Sequence, residues 1–296
     1  MKFALWCWRL NGFSGVERYV VDLSRALVAA GHGVEVFVNH FGGQLADLAA
    51  AHGATLRSWD DRYLDPPDLN IAQVKAPTDA ALLANRAPIV QVVHSEHPHE
   101  APLEDARVPC VVFVRLGARH RMLAELPWLR GPTKRTEVIR NPVHFDDFRR
   151  IPPMAPSVAG VFCSEIDAFK MRFLKAYARD AGGPVLVVGR LMDEALVTEI
   201  PQNVEILGPR LYPGWYYGRG KSAFSFRLSR TVVEAHLCGR AAMVYGGLEP
   251  AADAFGASNV DPEWINPGDI DISEFEAAVV AARWIALAQE VVACKS

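Results

Sequence analysis

The chain has 296 residues, of which 50% are hydrophobic and 22% are charged, which is the composition of an ordinary globular protein. This length is too great for one small core and predicts two domains of about 150 residues each. Lysine and arginine number 31 against 34 aspartates and glutamates, so the formal net charge is −3 and no global positive field exists to hold nucleic acid or an anionic membrane.

The first half alternates short apolar runs with helical patterns. Strands are predicted at 3–8, 34–38, 69–74, 88–93, 109–114 and 136–143, and helices at 15–30, 44–52 and 117–126. This rhythm indicates parallel βαβ units, and strands that are apolar throughout favour helices on both faces of the sheet. The first residues fit a β-strand that runs into a glycine-bearing loop, not a signal peptide.

The second half repeats the rhythm after a proline-rich segment. Residues 144–157, HFDDFRRIPPMAPS, carry three prolines and no periodic apolar face, which is typical of an interdomain linker. Strands follow at 158–163, 184–189, 203–208, 222–226 and 241–245, and helices at 167–181, 231–238 and 277–294. The sequence therefore predicts two Rossmann-like, doubly wound α/β domains, 1–150 and 151–296, with a ligand in the cleft between them beyond the strand ends.

Two features bear on the compartment. The five cysteines form no CxxC pair, and their odd number favours structural thiols in a reducing cytoplasm. The last helix, although apolar, is interrupted by polar residues and falls short of a bilayer span, so no transmembrane segment is expected.

The first βα turn, RLNGFSGVERY, carries Gly12 and Gly15 just before a helix. Glycines let backbone amides approach a ligand, and a helix N-terminus favours an anion, so Gly15 is a candidate donor-binding residue. The GxGxxG spacing of dinucleotide sites is absent, so no nicotinamide cofactor is expected. The alternative is that the glycines only allow the backbone to turn and bind no ligand.

A second glycine-bearing segment, GWYYGRGKSAF, resembles a phosphate-binding P-loop only in part. The position of its first glycine holds Trp215, and the segment precedes a strand where a P-loop follows one. NTPase activity is therefore excluded, and the segment either lines a pocket or caps the sheet.

Histidines and carboxylates cluster in VVHSEHPHE, directly after a predicted strand. This spacing suits a divalent metal, but no second distant cluster completes a site, so we expect no metal here. The favoured interpretation is that His94, the residue nearest the strand end, binds a polar substrate.

The segment SRTVVEAHLCGRAAMVYGG offers a nucleotide site. Ser229 is a candidate N-cap, and the amides of Arg230 and Thr231 would face an anion. Glu234, one turn inside the helix, could accept hydrogen bonds from the vicinal hydroxyls of a ribose. The alternative is a surface glutamate on an amphipathic helix.

These segments carry a resemblance to a known family. GVERYVVDLSRALVAAGHGVEVFV resembles the opening of retaining, nucleotide-sugar-dependent GT-B glycosyltransferases, VIRNPVHFDDF resembles their interdomain segment, and VVEAHLCGRAAMVYG resembles their nucleotide-binding element. The resemblance implies that Glu234 binds the nucleotide ribose, that Lys170 binds phosphate, and that His94 approaches the transferred sugar. It also implies that the loop around Gly15 faces the donor phosphates or the acceptor.

Two positions depart from the family pattern. Glu165 stands where the family has an arginine, and Phe226 stands where it has the first of two glutamates. Arg190, Arg227 or Arg230 could supply the missing positive charge, because a guanidinium holds a diphosphate bidentately.

Two functions follow from these residues. The first is a metal-independent glycosyltransferase that moves a sugar from a nucleoside-diphosphate sugar to an acceptor hydroxyl, with His94 and Lys170 as catalytic residues and no cofactor. The second is a non-catalytic module that binds a nucleotide or glycan. The acceptor could be a saccharide, a lipid-linked sugar, a small molecule or modified nucleic acid, since residues 115–135 are locally basic.

Overall fold

The computed structural model describes residues 1–40, 42–61, 65–95, 100–152, 154–225, 229–244 and 263–294. The chain forms two compact α/β units. One comprises Met1–Pro142 together with Glu274–Ser296, and the other comprises Val143–Ser273.

The first unit is a parallel sheet with helices on its faces. Its strands are β1 (Lys2–Arg9), β2 (Gly33–His40), β3 (Thr55–Ser58), β4 (Leu69–Gln73), β5 (Ile89–Val93), β6 (Cys110–Phe113) and β7 (Arg135–Val138). Its helices are α1 (Gly15–Ala29), α2 (Gln44–Ala51), α3 (Lys75–Ala84), α4 (Leu116–Glu125) and α9 (Ala277–Ala293). Over the described residues the strand order is β3-β2-β1-β4-β5-β6-β7.

The helix α1 begins at a capping box. The Ser14 hydroxyl accepts from the Glu17 amide, and the Glu17 carboxylate accepts from the Ser14 amide at 2.8 Å. These two bonds satisfy N–H groups that the first helical turn leaves unpaired. The helix therefore starts immediately after the β1 loop, as its sequence predicts.

The second unit repeats this plan on a smaller scale. Its strands are β8 (Val158–Phe162), β9 (Val185–Val187), β10 (Val204–Ile206), β11 (Gly220–Ser225), β12 (Ala241–Val244) and β13 (Glu263–Ile265). Its helices are α5 (Phe145–Arg149), α6 (Ala168–Asp180), α7 (Gly214–Arg219) and α8 (Arg230–Leu237). Among the described strands the order is β10-β9-β8-β11-β12-β13, with β13 antiparallel to β12.

Both sheets reverse their strand order at an equivalent place. In the first unit β1 pairs with β2 on one side and β4 on the other, and in the second unit β8 pairs with β9 and β11. Ligands of doubly wound sheets bind beyond the carboxyl ends of the strands at such a reversal. The reversal therefore gives each unit one expected ligand-binding edge.

The helix α6 packs closely on the second sheet. The Tyr177 hydroxyl lies 2.8 Å from Ser222 Oγ, and a Cβ at Gly160 would come within 1.7 Å of that hydroxyl. Only glycine fits at position 160. This close approach fixes the helix whose first turn carries Lys170.

The units begin and end at residues other than those of the expected domains 1–150 and 151–296. The segment read as a linker contains α5, because Phe145 and Phe148 lie three residues apart and are both buried. The last helix, α9, belongs to the first unit, where the buried Trp284 donates from Nε1 to the Tyr19 hydroxyl at 3.0 Å.

The structure also contains elements that the sequence patterns did not indicate, namely β3, α3, α7 and β13. The five cysteines are unpaired, and Cys163 follows β8, half-buried, instead of lying inside the strand. Within the described residues no helix is both long and apolar enough to cross a membrane.

Candidate functional site

The carboxyl edge of the second sheet carries most of the residues predicted to bind a donor. The loop after β8 leads into α6 and Lys170, and the segment after β11 leads into Ser229 and α8. Because β8 and β11 are neighbours, with Phe162 opposite Phe224, both loops emerge at the same edge.

Lys170 lies in the first turn of α6, and its ammonium group turns back onto the preceding loop. Asp167 caps the helix by accepting from the Lys170 amide at 2.7 Å. The Nζ atom donates to Ser164 Oγ and to the Glu165 carbonyl, each at 2.9 Å. The ammonium group of Lys170 is therefore held at the end of β8, the strand at which the strand order of the second sheet reverses.

Arg190 lies beside position 165, the position at which the family pattern has an arginine. Its guanidinium contacts the Glu165 carboxylate, with Nη2 2.8 Å and Nε 3.0 Å from Oε1. The Arg190 side chain is 45% exposed and that of Glu165 is 21% exposed. Lys170 and Arg190 thus both contact Glu165, Lys170 through the carbonyl and Arg190 through the carboxylate, and the guanidinium is accessible to solvent.

The loops after β8 and β9 are packed backbone against backbone. A Cβ at Gly189 would lie 1.8 Å from the Ser164 carbonyl oxygen, so only glycine permits this approach. The Ile166 amide donates to the Arg190 carbonyl at 2.8 Å. These contacts fix Lys170 and Arg190 relative to each other.

The helix α8 begins at Ser229, as its sequence predicts. The Ser229 hydroxyl accepts from the Thr231 amide at 3.3 Å and lies 2.8 Å from Ser225 Oγ. The amides of the first turn therefore lie at the end of β11, with positive potential toward that edge.

Glu234 is buried and ion-paired within its own helix. Its side chain is 4% exposed, and its Oε1 accepts from Nε of Arg230, one turn earlier. The alternative of a surface glutamate is therefore wrong. The carboxylate also lies close enough to the Cys163 thiol to raise its pKa, after burial, which is the larger cause.

Tyr217 completes the surroundings of Glu234 from α7. It is buried, and burial, followed by the nearby Cys163 and Glu234, raises its pKa well above the usual range. The GWYYGRG segment thus contributes a buried tyrosine to this edge, while Trp215 is half exposed. The aromatic composition of this segment was the only feature of the sequence that suggested that it lines a pocket.

In the first unit, Gly15 is the exposed first residue of α1. Nothing lies within 4 Å of the place where its Cβ would be, so a ligand could approach the backbone there. Beside it Arg9, the last residue of β1, donates from Nε to the Glu17 carboxylate at 2.8 Å. The anion site expected at this helix therefore already has a carboxylate bound to the N-cap amide.

His94 lies directly after β5, at the same edge. Its Nε2 is 2.6 Å from Oε1 of Gln73, the buried last residue of β4, and its ring meets Tyr19 edge-on at 4.9 Å between centroids. Burial lowers the His94 pKa to about 4; Glu100 opposes this shift and Arg115 adds to it. The ring is therefore neutral at physiological pH.

The backbone around His94 is also fixed. The Glu100 carboxylate accepts from the amides of His94 and Ser95 at 2.9 and 2.6 Å, and Arg115 Nη2 donates to the His94 carbonyl at 3.0 Å. The sequence analysis weighed Glu100 only as one member of a metal cluster, which it did not favour, and it missed Gln73, since a single buried amide at a strand end leaves no pattern.

Several predicted residues lie outside the described part of the chain, namely Glu96, His97, His99, Phe226 and Arg227. In the part that is described, no group of three histidine, cysteine, aspartate or glutamate side chains could hold a metal ion.

The basic stretch 115–135 is engaged internally. Lys134 Nζ donates to the carbonyls of Asp105 and Val108. Arg121 pairs with Glu125, and Arg135 pairs with Glu137 and Glu290. Two of its arginines, Arg121 and Arg135, are thus paired with carboxylates of the first unit.

No protein-family model matches the sequence, and no curated protein is significantly similar to it. Solved structures share its fold, among them the following three. A glycosyltransferase from Rickettsia africae ESF-5 is 13% identical, with 98% of both chains covered and a TM-score of 0.67. HepE of Anabaena, in complex with UDP and glucose, is 15% identical over 99% of this chain and 95% of its own, with a TM-score of 0.60.

The third is an alpha-glucosyltransferase in complex with UDP and a 13-mer DNA that contains an HMU base. It is 12% identical over 83% of this chain and 80% of its own, with a TM-score of 0.61. The first and the third are glycosyltransferases by name, and HepE holds UDP and glucose. Over its described strands, the second sheet of this chain repeats the strand order of the first with one strand fewer. The chain therefore has the α/β fold of the GT-B glycosyltransferases.

Proposed function

We propose that the protein is a glycosyltransferase that transfers a sugar from a nucleoside-diphosphate sugar to an acceptor hydroxyl. The observation that supports this most directly is the grouping at the carboxyl edge of the second sheet. Two cations, Lys170 and Arg190, and the capped N-terminus of α8 lie there with the buried acid Glu234. The two cations and the helix N-terminus suit the negative charge of a diphosphate. The carboxylate of Glu234 suits the hydroxyl groups of a ribose.

Each group has a definite part in the reaction. Lys170, Arg190 and the amides of Arg230 and Thr231 stabilise the negative charge that develops on the departing diphosphate. The bond from the anomeric carbon to the phosphate oxygen breaks, and a bond from that carbon to the acceptor oxygen forms. The acceptor proton leaves to the departing phosphate or to solvent. These side chains supply positive charge without a metal ion.

The environment of His94 supports transfer with retention at the anomeric carbon. An inverting transferase needs a base strong enough to take the acceptor proton. The Nε2 atom of His94 meets an amide, not a carboxylate, and its pKa of about 4 makes the ring a weak base. His94 therefore serves as a polar contact to the transferred sugar and not as that base, and the family resemblance adds that the acceptor attacks on the side of the leaving group.

UDP is the nucleotide to test first, because two of the solved structures that share the fold hold it. A saccharide or lipid-linked sugar is our proposed acceptor. A nucleic-acid acceptor is the second candidate, because one similar structure holds DNA and the stretch 115–135 is basic, although Arg121 and Arg135 in it are paired with carboxylates.

The test is incubation with a panel of UDP-, GDP- and ADP-sugars, with and without a mixture of saccharide acceptors. We expect one UDP-sugar to be consumed, and proton NMR of the product to show the anomeric configuration of the donor. Tight UDP binding without turnover on any acceptor would favour the non-catalytic module instead. If no nucleotide sugar is bound or consumed, the proposal fails.

A further inference from the structure

Gln73 is the residue at the first unit's carboxyl edge that sequence and fold left without a role. It is fully buried at the end of β4, beside the end of β5, and its Oε1 lies 2.6 Å from His94 Nε2. Its Nε2 is buried without a hydrogen-bond partner among the residues that the structure describes. A buried amide donor left unpaired is rare in proteins and calls for an explanation beyond packing.

The backbone at the same strand end is strained. Val74, the next residue, has φ 55° and ψ −167°, and it is the one non-glycine residue with positive φ in the described part of the chain. A β-branched residue rarely adopts this conformation, and such strain concentrates at functional sites. The strain and the unpaired amide are independent observations that both mark the end of β4.

The contact between Gln73 and His94 has two possible assignments. Either His94 Nε2 carries the proton and donates to the amide oxygen, or the amide is turned so that its nitrogen donates to His94 Nε2. A separation of 2.6 Å is short even for an N–H···O bond, and an N–H···N bond would be longer still. The structure places the amide oxygen, not the amide nitrogen, against His94 Nε2, which corresponds to the first assignment.

We infer that Gln73 is a positioning residue that holds the proton of His94 on Nε2, so that Nδ1 presents a lone pair to a ligand. A neutral ring with an acceptor nitrogen recognises a hydroxyl, which has a proton to donate. It does not recognise a phosphate or carboxylate oxygen, which needs a donor. The class of ligand at His94 is thus a hydroxyl of a sugar, an assignment that rests on the proposed function.

The surroundings of the ring are consistent with this assignment. Among the described residues, the charged groups in contact with His94 are Glu100, whose carboxylate accepts from two backbone amides, and Arg115, whose guanidinium donates to the His94 carbonyl. Both of these contacts are with backbone atoms, and the Tyr19 and His94 rings are nearly perpendicular. The partner of Nε2 is Gln73.

The tautomer is measured on ligand-free protein by nitrogen NMR with labelled histidine, and the His94 signals are identified by their loss in His94→Gln. We expect a protonated Nε2, an unprotonated Nδ1 and no change in charge between pH 7 and 5. A proton on Nδ1, or a titration midpoint near 6.5, would overturn the inference. This measurement needs no sugar and no turnover, so it stands apart from the test of the proposed function.

Gln73→Glu then tests the role of the amide. A carboxylate in its place stabilises a charged ring, so the His94 midpoint should rise by at least one pH unit. The matched control is Gln91→Glu, which places the same carboxylate on β5 where the amide contacts Leu103 and Ala101, and there the midpoint should stay unchanged. Equal midpoints in wild type and Gln73→Glu would contradict the inference. If that variant does not fold, the wild-type tautomer decides.

The last readout uses the donor. Once a sugar donor is known, Gln73→Glu should raise the donor KM about tenfold at pH 7, because a charged His94 no longer accepts a hydrogen bond from the sugar hydroxyl. The Kd of free UDP should stay unchanged, because UDP carries no transferred sugar. Equal weakening of free UDP would show a general structural effect and would overturn the positioning role.

Discussion

The Arg230–Glu234 pair raises the question of what a buried acid does at the start of α8. An ion pair alone is a weak reason to bury a carboxylate, since desolvation offsets the attraction. A ribose whose two hydroxyls donate to Glu234 supplies the missing reason. Glu234→Gln keeps the size of the side chain but removes its charge and turns one acceptor into a donor. We expect the affinity for UDP to fall roughly ten- to a hundredfold, measured by titration calorimetry.

The chain offers a matched control for this variant. Asp22 is buried in α1 and pairs with Arg18 at 3.0 Å with the same i,i+4 spacing. Asp22→Asn should lower the unfolding midpoint without changing the affinity for UDP. If both variants lower stability and neither alters the affinity, Glu234 is a structural residue and the ribose assignment is lost.

Lys170 tests the phosphate side of the site. Lys170→Met keeps the length of the side chain but removes the charge that opposes the developing phosphate charge. We expect kcat/KM to fall by about a hundredfold or more, which corresponds to about 3 kcal/mol of transition-state stabilisation. Lys175→Met is the control on the same helix, because Lys175 pairs at the surface with Glu199 at 2.6 Å. Similar losses in both variants would contradict the assignment.

The candidate site was partly readable from the residues. Ser229 and Glu234 could be placed because a cap and an acid one turn later make a local pattern within α8. Lys170 was assigned through the family resemblance. Arg190 was only one of three arginines that could replace the missing charge, and its pairing with Glu165 was not foreseen, since it joins residues 25 positions apart. Gln73 could not be found, because its partner His94 belongs to another strand and nothing local marks the contact.

At the scale of the elements, the junction of β4 and α3 is the most unusual. Val74 occupies the N-cap position of α3, provides no side-chain cap and has a positive φ. Its amide donates to the Val92 carbonyl at 3.0 Å, and the Thr78 hydroxyl donates to its carbonyl at 2.5 Å. These bonds hold the strained conformation in place.

Val74→Gly should relieve that strain. A strained φ costs about 1–3 kcal/mol, and glycine costs about 0.5–1 kcal/mol in additional unfolded-state entropy, so we expect a net stabilisation of about 1 kcal/mol. Urea unfolding measures it. Val74→Ala retains a Cβ and should give a smaller gain. A glycine variant less stable than wild type would show that the Val74 side chain contributes more than its conformation costs.

The elements that the sequence did not reveal were missed for one physical reason. The helix α3 carries a proline at its third position and few large apolar residues, and α5 is a single short turn whose two phenylalanines give no extended period. The strand β13 contains three residues and owes its conformation to pairing with β12. Such elements are determined by tertiary contacts, which a local pattern does not record.

At the scale of the whole molecule, the sequence predicts two α/β units. Its long helices are amphipathic and its buried strands are apolar throughout, and this alternation occurs in both halves of the chain. It did not anticipate that α9 completes the first unit. An apolar helix can cover any exposed sheet face, and its partner is selected by shape and by single contacts such as Trp284 to Tyr19.

The stability of the whole chain should decrease between pH 7 and pH 5 because several histidines are buried in their neutral form. Burial lowers the pKa of His94 to about 4, and it also lowers the pKa of His32 and of His236. Each of these histidines binds its proton more readily in the unfolded chain, whose ordinary histidine pKa is 6.5. Stability therefore falls as the pH drops below about 6.5, and for His94 the loss continues to about pH 4.

Carboxylates affect the stability of the chain in a lower pH range. The Arg107 side chain lowers the pKa of Asp105 to about 2, so its contribution is present above the ordinary aspartate pKa and is lost only in stronger acid. We expect the urea midpoint to fall from pH 7 to pH 5, with His94 accounting for about 1–2 kcal/mol after allowance for its partial exposure. In His94→Gln the fall should be smaller by that amount. Parallel curves for the two proteins would mean that the His94 pKa is the same in the folded and unfolded chains, which would contradict the lowered pKa of the buried ring.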